Sequence, residues 1–216
     1  MVHLLSAQNS IFHQFMSELR DVEIQKDSMR FRRNLERIGE LFAFEISKTL
    51  EYKATQTTTP LGVAETKQLR EQPVLACILR AAIPMHQGML NVFDKAENAF
   101  ISAHRKHHKN NSFDIVVESV SSADLNDKTV IICDPMLASG SSVVNVYKEM
   151  LSKGQPKHIH LVHILASNEG VNYVKAHFPS TNYTLWIGAI DEELTAHAYI
   201  VPGLGDAGDL AFGNKL

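Results

Sequence analysis

A chain of 216 residues, 44% of them hydrophobic, is long enough to bury a substantial core, and its simplest organisation is one domain over residues 1–216. A net charge of −3, from 21 Lys and Arg against 24 Asp and Glu, argues against a dedicated nucleic-acid binder. No apolar run is long enough to span a bilayer, no signal-peptide pattern opens the chain, and Cys77 and Cys133 sit inside apolar runs as buried thiols, all of which fit a cytoplasmic protein.

In chain order, the first strong pattern is a helix over residues 29–50, with Phe31, Leu35, Ile38, Phe42, Ile46 and Leu50 at intervals of three and four. A polar segment over residues 52–73 follows, with a short helix expected at residues 64–70. Residues 74–79 read as a strand. Further strands are expected at residues 100–103, 113–120, 129–133, 158–166 and 183–189. Helices fill residues 85–92, 143–153 and 169–177, and Gly154 stops the second of these. Strands alternating with helices predict an α/β fold with a largely parallel sheet flanked by helices, preceded by an N-terminal helical segment. There is no internal repeat or linker to divide it.

The segment from Val130 to Ser142 carries the most chemistry. An apolar strand ends in Asp134, passes through Pro135, Met136, Leu137 and a run of small residues, and enters a helical pattern. Residues 138–142 can turn their backbone N–H groups toward one anion, with Gly140 permitting the turn and Ser139, Ser141 and Ser142 adding hydroxyls. Asp134 repels a phosphate and suits sugar hydroxyls or a divalent cation beside one. The same residues also fit an ordinary strand-to-helix turn in which Asp134 caps the helix. No Lys follows the glycine, so this is not a Walker A loop, and the G-x-G-x-x-G order is absent.

Arg80 stands at the carboxyl end of the 74–79 strand, where open α/β sheets place ligands, and its guanidinium suits a pyrophosphate or a neighbouring carboxylate equally. The basic cluster from His104 to Lys109 reads as a phosphate-attracting loop rather than a metal site, because adjacent side chains on a strand alternate faces. The final loop, residues 200–208, is rich in glycine. Its backbone can approach a flat base closely, and it also fits a C-terminal turn stapled by aspartates.

Two of these segments together resemble a known family. The strand, acid and loop headed by Asp134-Pro135-Met136-Leu137-Ala138 is similar to the phosphoribosyl pyrophosphate loop of phosphoribosyltransferases, in the uracil phosphoribosyltransferase branch. Tyr199-Ile200-Val201-Pro202-Gly203-Leu204-Gly205-Asp206-Ala207-Gly208-Asp209, continued by Phe212-Gly213, is similar to that branch's uracil-binding loop. Ile78-Leu79-Arg80-Ala81 and the helix over residues 31–50 extend the resemblance over most of the chain.

The resemblance implies an enzyme that transfers the phosphoribosyl group of phosphoribosyl pyrophosphate to uracil, giving uridine monophosphate and pyrophosphate in pyrimidine salvage. It assigns catalytic roles to Asp134, Arg80 and Asp206. It implies phosphoribosyl pyrophosphate binding by Arg80, Arg105, Asp134, Pro135, Met136, Leu137, Ala138, Ser139, Gly140, Ser141, Ser142 and Asp206. Uracil falls to Ile200, Gly205, Asp206 and Ala207. Magnesium is expected as a cofactor held mainly through the pyrophosphate, with no dedicated protein metal site. A homodimer or larger homo-oligomer is expected, with residues 1–27 as a candidate exchanged arm.

The chain departs from the family's usual text at Ala82, Pro84 and Gln87 after Arg80, and at Ser141, which stands where the family has glycine. A positive φ at Ser141 would cost about 1 kcal/mol or more. Two alternatives stay open: the same chemistry on another base, and a non-catalytic sensor that binds a nucleotide or phosphoribosyl pyrophosphate.

Overall fold

The structure is a computed structural model describing residues 1–107, 113–178 and 182–214. Strand β1 (Val2–Leu4) and helix α1 (Phe12–Arg20) open the chain, followed by α2 (Ser28–Ser47). Asp27 starts α2 by accepting the Met29 and Arg30 backbone N–H groups. Phe31, Leu35, Ile38, Phe42 and Ile46 fall on one stripe and are fully buried, as their spacing predicts.

Next comes a hairpin, β2 (Tyr52–Thr59) and β3 (Gly62–Leu69), where the sequence suggested a helix at residues 64–70. Ala64, Glu65, Lys67 and Gln68 are helix formers, but they lie opposite a threonine-rich partner with Thr55 paired to Thr66. Cross-strand pairing overrides local propensity here. The Thr55 and Thr66 hydroxyls lie 3.1 Å apart, and Leu61 at the turn is fully exposed.

The α/β body then runs β4 (Val74–Leu79), α3 (Ile83–Leu90), β5 (Glu97–His107), β6 (Phe113–Ser121), β7 (Thr129–Cys133), β8 (Met136–Leu137), α4 (Ser141–Met150), β9 (His158–Ser167), α5 (Asn168–His177) and β10 (Tyr183–Asp191). A small hairpin, β11 (Glu193–Leu194) and β12 (Ile200–Val201), leads to α6 (Ala207–Phe212). In the main sheet the order is β1-β10-β9-β7-β4-β5-β6, with β8 also on β9. Every pair is parallel except β5 with β6. This is the largely parallel sheet that the alternation of elements predicts.

The central strands are apolar throughout because both faces are covered. Leu75, Cys77, Ile131 and Cys133 point into a core shared with Phe12, Phe31, Phe42 and Met85. Val74, Ala76, Val130 and Ile132 point into a second core with Val143, Val146 and Val174. Each such side chain, fully buried, contributes about 1.5–3 kcal/mol of transfer free energy. Gly39 on α2 and Gly88 on α3 let these helices touch: a Cβ at Gly39 would strike Met85 O, and one at Gly88 would strike Glu36 O.

Residues 1–27 pack on their own chain. β1 extends the sheet beside β10, and α1 buries Phe12, Met16 and Leu19. Glu18 of α1 accepts bonds from Arg30 at 2.8 Å and from Asn34 at 2.7 Å on α2.

Candidate functional site

The loops that follow β4, β7, β9 and β10 all leave the same carboxyl edge of the sheet, where an open α/β fold keeps its ligands. After β7 the chain is stitched to β9. Asp134 N–H donates to Val162 O at 3.1 Å, and Pro135 O accepts from both Ile164 and Leu165 N–H at 3.0 Å. His163 Nδ1 lies 2.8 Å from Asp134 O. A carbonyl only accepts, so Nδ1 carries the proton and Nε2 is a bare acceptor. Nε2 is buried with no hydrogen-bond partner. Burial holds this histidine's pKa down to about 4, against a weaker pull upward from Asp134 O, so it is neutral at physiological pH. Asp134 is thereby fixed through both backbone groups, and its Oδ1 accepts the Met136 N–H at 3.3 Å.

The helix cap is Gly140, with φ 82°, so Asp134 does not cap α4 as the simpler sequence reading had it. No side chain caps α4, which leaves the Ser141, Ser142 and Val143 amides at its head as an anion-binding end. Ser141 opens the helix and is not among the residues of positive φ. The left-handed turn falls one residue earlier, on Gly140, and the strain expected at Ser141 does not arise. Ser139 and Ser141 hydroxyls lie 2.9 Å apart.

Helix α5 braces this loop from behind. Ser167 donates to Ala138 O at 2.6 Å and accepts the Gly170 N–H at 2.9 Å, capping α5 and holding the loop with one hydroxyl. A Cβ at Gly170 would strike Ala138 O and lie 2.6 Å from Leu137 O.

Arg80 follows β4 across a cis peptide bond, and the chain turns at once into α3. Ala82 lies in the right-handed region with φ −78°, and Pro84 sits in the first turn, where its missing N–H has no intrahelical partner to lose. Both departures from the family text therefore suit the backbone. Gln87 is exposed and bonds Asn91 at 3.2 Å. Arg80 donates to Asp209 Oδ1 at 3.3 Å and to Gly213 O at 3.0 Å, and its Nε is buried with no hydrogen-bond partner.

Arg105 lies inside β5, opposite Ile115, because the strand runs to His107 rather than stopping at residue 103. Of the basic cluster, His108 and Lys109 lie outside the described residues.

Beyond β10 the small hairpin sets Ile200 opposite Leu194 and turns at Ala198, with φ 58°. Ile200 is buried, Gly205 is exposed, and Asp206 is half-buried. Gly203 and Gly205 take φ of 66° and 90°, which favour glycine. Asp206 caps α6 by accepting the Asp209 N–H at 3.0 Å, and Ala207 begins that helix. Ile200, Leu204 and Ala207 belong to the same apolar core as β4 and β7, and a Cβ at Gly208 would lie 3.9 Å from that of Ala81, so the C-terminal segment meets the loop after β4.

Several supporting residues escaped the sequence reading. Arg20 and Asp191 form a two-bonded ion pair, with both contacts at 2.7 Å, beside Gly203. Burial pushes the Asp191 carboxyl up, but Arg20 and the Gly203 N–H outweigh it and hold it below the usual carboxylate value. Asp191 repeats the signal that marked Asp134, an acid at the end of an apolar strand. Ser167, four residues after His163 and just before a helix, carried a cap signature. Arg20 carried none. Both cysteines are buried, and neighbouring Cys77 and burial push the Cys133 thiol well up, which makes Cys133 a poor nucleophile.

A family model described as uracil phosphoribosyltransferase matches residues 6–214. A protein of that name from Porphyromonas gingivalis is 52% identical over 216 residues, covering 100% of this chain and 99% of its own. Another, from Methanococcus vannielii, is 38% identical over 200 residues, covering 92% and 84%. Among solved structures, a protein from Aquifex aeolicus superimposes with a TM-score of 0.86 at 25% identity, covering 99% of this chain and 98% of that one.

Proposed function

The chain belongs to the uracil phosphoribosyltransferase family, and from that premise we infer which of its residues do the work. It is a glycosyltransferase that moves the phosphoribosyl group of phosphoribosyl pyrophosphate to uracil, giving uridine monophosphate and pyrophosphate in pyrimidine salvage. The observation that carries the reading is the full-length match, whose motif-bearing loops all leave one sheet edge.

In this reading the uncapped head of α4 and the loop before it hold the 5-phosphate. Asp134 accepts the ribose hydroxyls, which needs a carboxylate of fixed position, and the bonds from β9 supply that. Arg80 exchanges Asp209 and Gly213 O for the pyrophosphate, and Arg105 adds a second positive charge. As the C1–O bond breaks, the electron pair leaves with pyrophosphate, and these cations offset its charge. Uracil N1 then forms the bond to C1, and its proton passes to an oxygen of the departing pyrophosphate. Ile200 and the Gly205–Asp206–Ala207 backbone hold the base edge. Closing the site against water protects the sugar cation.

Among the described residues no three His, Cys, Asp or Glu side chains form a metal cage. Magnesium, which the family resemblance implies, would be held mainly through the pyrophosphate substrate, with Asp134 as the carboxylate that would help hold it, and would supply charge neutralisation. We take residues 1–216 as one domain acting in the cytoplasm as a homodimer or larger homo-oligomer. No helix among the described residues is long and apolar enough to cross a membrane.

The test is uridine monophosphate formation by purified protein with uracil, phosphoribosyl pyrophosphate and magnesium, with cytosine, hypoxanthine and orotate in parallel. Turnover with uracil alone is expected. Activity that survives full chelation of divalent ions overturns the magnesium reading, and a sedimentation mass of one 24.1 kDa chain overturns the oligomer.

A further inference from the structure

Gly203 lies between two residues assigned to the base, Ile200 and Gly205, so the orientation of its peptide groups sets where both of them point. Its conformation leaves little choice of residue. Its φ is 66°, and a Cβ would strike Ile200 O. Glycine is needed here, and glycine brings no side chain with which to hold itself in place. The loop must be fixed from outside.

Two charged residues do this, each bonding one polar group of Gly203. Asp191 Oδ2 accepts the Gly203 N–H at 2.8 Å. Arg20 Nη1 donates to Gly203 O at 2.8 Å. The two are also joined to each other, Nη1 to Oδ2 and Nη2 to Oδ1, both at 2.7 Å. Their side chains are 26% and 8% exposed, so water competes weakly for either. The pair is neutral as a unit, which suits a loop that receives an uncharged base.

The bracket is itself rigidly mounted. Two residues before Arg20, Glu18 is tied to α2 by Arg30 and Asn34. Farther along the same N-terminal region, Gln25 comes up to Gly205, its Oε1 3.9 Å from where a Cβ would stand. Arg32 then donates to Ala211 O at 2.6 Å at the far end of α6. The N-terminal helices thus bond the C-terminal segment at Gly203 and at Ala211 and come close to it at Gly205.

We propose that Arg20 and Asp191 are positioning residues for the base, holding the 200–206 loop through the two polar groups of Gly203, so that recognition of uracil is set from α1. The proposal rests on the reading of that loop as the base site. Neither residue touches the reacting atoms. Losing them loosens the base while leaving the phosphate cradle, built on other strands, intact.

The experiment is steady-state kinetics with each substrate varied in turn on Arg20→Gln, Arg20→Lys, Asp191→Asn and Gly205→Ala. Arg20→Gln is expected to raise KM for uracil about tenfold or more, with KM for phosphoribosyl pyrophosphate within about twofold of wild type. Arg20→Lys keeps the charge without the fork and falls between. A fifth variant, Arg20→Ala, is expected to raise KM for uracil likewise, and methylguanidinium in the buffer to lower it again. Should Arg20→Gln fail to fold, Asp191→Asn, which keeps shape and an acceptor, carries the test with a smaller shift in the same direction.

An equal rise in both KM values, or a fall in kcat alone, means a general staple and overturns the proposal. A raised uracil KM in Gly205→Ala with wild-type values in Arg20→Gln and Asp191→Asn overturns the bracket while sparing the base loop. An unchanged uracil KM in Gly205→Ala overturns the base-loop reading, and the bracket with it.

Discussion

The proposed phosphate cradle and base loop leave neighbouring regions of one sheet edge, yet only the base loop is also fixed by a distant part of the chain. The cradle is held by its own sequence neighbourhood. Asp134 and Ala138 are gripped by His163 and Ser167, each 29 positions away across the adjacent parallel strand. The base loop is held at Gly203 by Asp191, 12 positions away, and by Arg20, 183 positions away. In the proposed assignment the donor site is built into the α/β unit itself, whereas the acceptor site is also held by an element outside that unit. On that proposal, changes at α1 are expected to alter base recognition without disturbing the cradle.

The largest effect should come from the cradle's own chemistry. Asp134→Asn is expected to lower turnover by about a hundredfold or more while shifting Tm by no more than about 2 °C, read by product formation and thermal unfolding. Arg80→Ala should raise KM for phosphoribosyl pyrophosphate more than that for uracil, and equal rises would mean Arg80 serves the base loop through Asp209 instead.

Gly170→Ala tests whether α5 supports the cradle alone. Its Cβ runs into Ala138 O, so a stability loss of about 2 kcal/mol and a raised KM for phosphoribosyl pyrophosphate are expected, with the uracil KM nearly constant. Ser167→Ala acts on the same brace more gently. It removes a cap and the donor to Ala138 O, costing about 1 kcal/mol in denaturant unfolding.

Acid probes the mounting of the other loop. The Arg30 and Asn34 side chains hold Glu18 at a pKa of about 2, below its ordinary 4.5, against the opposing effect of burial. A depressed carboxyl contributes stability that is fully present above 4.5 and fades as pH falls toward 2. Glu18→Gln should therefore flatten the acid limb of stability between those values, and an unchanged limb would show that α1 is not held this way. The smallest effect belongs to the projecting hairpin, where Leu61→Ser should change stability by no more than about 0.5 kcal/mol.

The sequence made the cradle legible because its parts are contiguous and each type has one physical job there. An acid ends a strand, a glycine turns, and small residues expose amides. The central strands were legible for a similar reason, since burial on both faces forces an unbroken apolar run. Their ends were harder. β5 continues to His107 because β6 pairs with it, and polar residues such as His104 and Lys106 gave no hint of that pairing. The hairpin at residues 52–69 was missed because threonine pairing across the strands outweighs helix formers. β1, β8, β11 and β12 run only two or three residues each, too short for any period to emerge. Arg20 and Asp191 find their meaning only through each other and through Gly203, a relation that no local pattern encodes.

The contacts of Arg20 with Gly203 and of Arg32 with Ala211 join residues 183 and 179 positions apart. Closing loops of that length costs about 1.6 kcal/mol more chain entropy than closing contacts across 29 residues, the span of the bonds from His163 and Ser167. The seating of residues 200–212 is thus a long-range property of the chain, one that a change along α1 or α2 can reach.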